Sequence, residues 1–112
     1  MSITQRTLPG TTVIHINDVF THRNRKDFSS AVKTFKESSG KHLIVDLHDA
    51  TYVDSAAVGL LALTSQQLIA DERMFSLVGP QGTVKTILEL ANLDRMIPVF
   101  PTEEAAAASR TA

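Results

Sequence analysis

Apolar residues fall in short clusters between polar turns, and the spacing within each cluster separates strands from helices. Ile3 to Leu8 alternates weakly, as an edge strand does, and Pro9-Gly10 is a turn pair. Thr11 to Ile16 alternates with β-branched residues throughout and predicts a second strand, ended by Asn17-Asp18. Phe28, Ala31, Val32 and Phe35 recur at the spacing of a helix with one buried stripe. Ser38-Ser39-Gly40 supplies its stop, with Gly40 as the C′ residue. His42 to Leu47 is an apolar run between polar turns, the mark of a central strand buried on both faces.

A short polar link from His48 to Val53 leads to Asp54-Ser55. Either residue suits the cap of an Ala- and Leu-rich helix from Ala56 to about Ala70. Met74 to Val78 predicts another strand, Gly79-Pro80-Gln81-Gly82 a turn, and Val84, Ile87, Leu88 and Ala91 a third helix. Ile97 to Phe100 predicts a last strand, ended by Pro101. Residues 102–112 form an Ala-rich tail, read as a helix that frays from Ser109 to Ala112.

The order β-β-α-β-α-β-α-β-α implies an α/β fold. Its sheet is mostly parallel, of about five strands with about four helices, and the first strand pairs antiparallel at an edge. Phe28, Val32, Phe35, Val45, Leu61 and Ile87 are expected to share one core. No repeat or linker divides the chain, so residues 1–112 read as one domain.

Composition removes several functions. Eleven basic against twelve acidic residues give a net charge of −1, unlike a dedicated nucleic-acid binder. Trp is absent and aromatics are 5%, which argues against a base-stacking surface. No Cys is present, so disulfides, Cys-zinc sites and thiol catalysis are excluded. No apolar run approaches the roughly 18 residues of a membrane span. The N-terminus lacks the basic start and apolar run of a secretory signal, so the cytoplasm is the expected location. No phosphate-binding or catalytic motif is present, and His15, His22, His42 and His48 lack ligand spacing. The expectation is no cofactor, no metal and no enzymatic activity. His15 and His42 are read as packed or bonded within strands, and His48 as bonded near Asp46 and Asp49.

The informative stretch runs from Leu43 to Leu61. A buried strand enters a polar loop, and Asp54-Ser55 then opens an apolar helix. Helix N-termini present unpaired N–H groups and a partial positive charge, so a phosphate on Ser55 would be accommodated without disturbing the fold. The plainer reading makes Asp54 and Ser55 simple caps, and Gly59 a residue that lets the helix pack closely on the sheet.

Residues 43–61 resemble the signature of the STAS domain family, specifically the bacterial anti-sigma factor antagonists. That pattern is a strand ending in an acid, an aromatic or apolar pair, Asp-Ser, small residues and Gly. Here these are Asp46, Tyr52-Val53, Asp54-Ser55, Ala56-Ala57 and Gly59. The resemblance extends to the β-β-α entry, the strand Met74 to Val78, the Pro80 turn and the ending Leu90 to Phe100. It implies a partner switch. The unphosphorylated domain binds an anti-sigma factor that is also a GHKL-type serine kinase. Phosphorylation of Ser55 releases it, and a PP2C-type serine phosphatase restores it. The implied contact residues are Asp54, Ser55, Ala56, Ala57 and Val58 with Thr21, His22, Arg23 and Arg25.

The chain departs from the family at two places. Ala57 stands where many relatives have Gly, and Thr21 near where many have an acid. The segment His22 to Lys26 is unusually basic, either as a solvated helix start or as a rim contact for an acidic partner. Two other functions compete: a constitutive STAS subunit of a transporter or signalling complex, and a small enzyme or ligand-binding domain using the same loop.

Overall fold

The computed structural model describes residues 2–109. Arg110, Thr111 and Ala112, in the tail expected to fray, lie outside the described residues, while Ser109 is helical. The strands are β1 (Ile3–Leu8), β2 (Thr11–Ile16), β3 (Asp18–Phe20), β4 (His42–Asp46), β5 (Ala50–Val53), β6 (Met74–Val78) and β7 (Val99–Phe100). The helices are α1 (Arg25–Lys36), α2 (Ser55–Ala70), α3 (Gly82–Leu90), the single turn α4 (Leu93–Met96) and α5 (Glu103–Ser109).

Five strands form one sheet in the order β1-β2-β4-β6-β7. β1 pairs antiparallel with β2, and the other neighbours are parallel, so the expected α/β architecture with an antiparallel edge is present. β4 lies in the middle and is buried at all five positions, because helices cover both faces. One core joins Phe28, Val32 and Phe35 of α1 to Leu61 of α2 and Val45 of β4, with Ile87 packed against it. On the opposite face Ala106 of α5 packs on Val13, Ile44 and Val78.

Several local expectations are corrected. The link from His48 to Val53 is not all loop: Ala50–Val53 is β5, which pairs in parallel with β3 in a separate two-stranded ribbon. Asn17 ends β2 as expected, but Asp18 begins β3. Ala91 follows the end of α3 and is exposed. Residues 93–96, read without structure, form a turn of helix, and only Val99–Phe100 of the last expected strand pairs with β6.

Gly40 is not the C′ residue of α1. The helix closes at Glu37, and the Ser38 hydroxyl bonds the Phe35 carbonyl at 2.6 Å and accepts the Gly40 N–H at 3.1 Å. Gly40 is required instead by proximity, since an added Cβ would lie 2.9 Å from the Phe35 ring.

Candidate functional site

The ribbon of β3 and β5 lies at the carboxyl ends of β2 and β4, where loops of parallel sheets carry function. Its entry is strained. Asp18 adopts φ of 73°, and the Thr51 hydroxyl braces it by donating to the Asp18 carbonyl at 3.0 Å. The ribbon leads directly into α2. The Asp54 N–H bonds the Phe20 carbonyl at 3.2 Å, and Asp54 turns from extended backbone into the helix.

Asp54 is the cap. One carboxylate oxygen accepts the Ala57 N–H at 2.8 Å, satisfying an amide that the first helical turn leaves unpaired. The other oxygen accepts the His22 N–H at 3.0 Å and lies 3.5 Å from the His22 ring nitrogen Nδ1. Partial burial pushes the Asp54 carboxyl up, but the amides of Ala57 and His22 and the His22 ring outweigh it. The carboxyl therefore sits below the usual carboxylate range.

With the cap supplied by Asp54, the Ser55 side chain has no structural duty. Ser55 is the first helical residue and is exposed, and among the described residues none bonds its hydroxyl. Beside it Ala56 is exposed and Val58 is half-buried. Ala57, expected among the contact residues, is fully buried in the core and is withdrawn from that set. Gly59 is corrected as well. It lies on the outer face of α2 and is exposed, and a Cβ there would meet nothing within 4 Å, so it does not serve helix–sheet packing.

The Asp54–His22 bond ties the loop from Thr21 to Asn24, and with it the start of α1 at Arg25 and Lys26, to the mouth of α2. Thr21 is half-buried and its N–H bonds the Asn24 side chain at 2.8 Å. His22, Arg23, Arg25 and Lys26 are exposed, and among the described residues Arg23, Arg25 and Lys26 have no carboxylate partner. The Arg25 guanidinium folds back onto the His22 carbonyl at 2.6 Å. Three cations therefore follow directly on His22, which Asp54 bonds, in a chain of net charge −1.

Two residues were not singled out as contacts from sequence. Val19 and Tyr52 pair across the ribbon and are 37% and 45% exposed, an apolar surface beside the cationic loop. The β-prone run Thr51-Tyr52-Val53 was the available signal. The remaining histidines have structural partners. His42 is buried with Nε2 2.7 Å from the Ser76 hydroxyl. The Asp49 carboxylate is bonded by the His15 ring at 2.8 Å and faces His48 at 3.3 Å, while the His48 N–H bonds Asp46. Among the described residues no group of three such side chains is placed to hold a metal ion. No helix there is long and apolar enough to cross a membrane.

The chain belongs to the STAS domain family, whose model matches residues 2–106. A STAS-domain containing protein of Pseudomonas aeruginosa is 28% identical over 86 residues, 77% of this chain and 84% of that protein. Among solved structures, an anti-sigma factor antagonist from Mycobacterium paratuberculosis superposes with a TM-score of 0.86 at 20% identity, covering 96% of this chain and 91% of its own. The anti-sigma factor antagonist SpoIIAA in its unphosphorylated form gives 0.83 at 19% identity, covering 98% and 97%. The same fold forms part of the murine anion transporter Slc26a9, with a TM-score of 0.76 at 18% identity, covering 92% of this chain and 18% of the transporter.

Proposed function

We propose that this protein is an anti-sigma factor antagonist of the partner-switching kind. Unphosphorylated, it binds an anti-sigma factor with GHKL-type serine kinase activity in the cytoplasm and frees the sigma factor or another target. The kinase phosphorylates Ser55, the complex parts, and a PP2C-type serine phosphatase resets the domain. The protein itself catalyses nothing.

One observation carries this reading. Asp54 does the capping, and the Ser55 hydroxyl is left exposed and unbonded at the mouth of α2. A serine retained only as a cap would hold that amide itself. A phosphate on Ser55 adds roughly −1.5 to −2 charges. Added next to Asp54, which bonds the segment that carries Arg23, Arg25 and Lys26, it offsets positive charge on this surface and places a hydrated dianion where the partner must pack. The exposed apolar pair of Val19 and Tyr52 supplies a contact that needs no charge.

The test is phosphosite mapping on protein from its own cells, followed by capture of partners with Ser55→Ala and Ser55→Glu as baits. The expected result is a phosphate on Ser55 and a kinase-like partner held by the Ala variant and lost by the Glu variant. A chain never modified at Ser55, with equal capture by both baits, overturns the switch and favours a constitutive STAS subunit of a larger complex.

A further inference from the structure

The two edges of the sheet are built differently. β7 is two residues long and lies between Pro98 and Pro101, which have no N–H to offer a neighbouring strand. β1 is six residues long and contains no Pro. Asn17 donates to the Ser2 carbonyl at 2.7 Å, which sets the phase of the antiparallel ladder. Thr4, Arg6 and Leu8 therefore turn their backbone groups toward β2, and Ile3, Gln5 and Thr7 turn theirs outward.

Side chains do little to guard this edge. Arg6 is the strand's only charge, and its guanidinium is drawn to Glu103 of α5. On the α1 side, Asp27, Ser30, Ala31 and Thr34 flank β1 across a groove of about 220 Å³. Most of these side chains are short.

We infer that β1 is a pairing edge for a second copy of this chain, joined antiparallel about a two-fold axis through Gln5. The sequence suits that register. Gln5 meets itself on the axis, Ile3 meets Thr7, and Thr4 meets Arg6, so no like charges stand opposite each other. The outward groups of Ile3, Gln5 and Thr7 then form about six backbone hydrogen bonds across the axis. The two sheets become one, and the Pro-flanked β7 edges stop growth at the dimer. The self-complementary register and absence of opposed charges favour a second copy over a foreign strand. Nothing here depends on the phosphorylation reading.

Sedimentation equilibrium of the full chain, up to millimolar concentration, tests the proposal. The wild type is expected to be a dimer. Gln5→Pro is expected to be monomeric with an unchanged circular dichroism spectrum, because it removes an outward N–H and no bond to β2. Gln5→Glu and Gln5→Lys are each expected to weaken the dimer roughly two- to fivefold, and mixing them to restore it. A wild type that stays monomeric overturns the proposal, as does a dimer indifferent to these changes. If Gln5→Pro fails to fold, the mixed charge pair decides alone.

Discussion

The Asp54 carboxylate accepts the backbone N–H of His22 from 3.0 Å away, across 32 residues of sequence. A helix cap thereby also fixes a loop. Asp54→Ala is expected to destabilise the fold by about 1 kcal/mol, the usual loss for a cap. Asp54→Ser keeps an acceptor for the Ala57 amide but falls short of His22. Its unfolding temperature should stay near wild type while the His22 amide exchanges faster with solvent. Equal destabilisation by both variants would show that the His22 bond, not the cap, carries the energy.

Gly59→Ala should stabilise the protein. The position is exposed in mid-helix and the new methyl meets nothing within 4 Å. Replacing Gly by Ala in a helix gains roughly 1 kcal/mol. Chemical denaturation reads this directly. If Gly59 lies under a bound partner, the same variant should bind it more weakly despite its greater stability.

Phe35 should be costly to lose. It is 1% exposed, it accepts the Arg73 guanidinium over its ring at 5.0 Å, and Gly40 leaves it room. Phe35→Ala is expected to cost about 3–5 kcal/mol. Gly40→Ala should cost about 1–3 kcal/mol by forcing the ring aside. A negligible change in the denaturation midpoint for either would contradict the packing described.

Acid and neutral pH should expose opposite behaviour in two carboxyls. Hydrogen bonds from His15 and then His48 hold Asp49 below its ordinary value. Its contribution is therefore complete above that value and lost as pH falls through the lowered one. The neighbouring Asp46 carboxyl pushes Glu103 up, helped by burial and opposed by Arg6. The fold favours its protonated form more than the unfolded chain does, so that contribution is present in acid and lost as pH rises through the raised value. Thermal unfolding of Asp49→Asn should fall below wild type near neutral pH and converge in acid. Glu103→Gln should match or exceed wild type near neutral pH, since the exposed Arg6 pair contributes little. The reverse order in either variant would contradict these assignments.

Much of this was legible in the sequence because one periodicity served each element. The stripe Phe28, Ala31, Val32 and Phe35 is buried as its spacing requires, and Leu43 to Val45 lie in the central strand as their unbroken apolarity requires. The family signature located Asp54-Ser55 correctly at the start of a helix. What escaped was set by partners distant in sequence. β3 is three residues long, too short for a period, and it exists because Asp18 to Phe20 finds β5 thirty residues later. Gly40 and Gly59 look alike in sequence, yet one is crowded by a ring and the other faces open space. Ala57 reads as one more small residue of the motif, and only the direction of its methyl removes it from the surface.

The central place of β4 has a consequence for how the molecule opens. β4 reaches its neighbours only through crossovers, so both of its ladders join segments far apart in sequence. Its amides at Leu43 to Val45 should exchange only through global unfolding. The β3–β5 ribbon is a separate sheet that exposes Val19 and Tyr52 but sinks Phe20, Ala50 and Val53 into the main core. Its two short strands should lose their ladder amide protection before β4 does, while its core side chains tie it to the sheet. Ser55 stands where this ribbon ends and α2 begins, with its hydroxyl already at the surface.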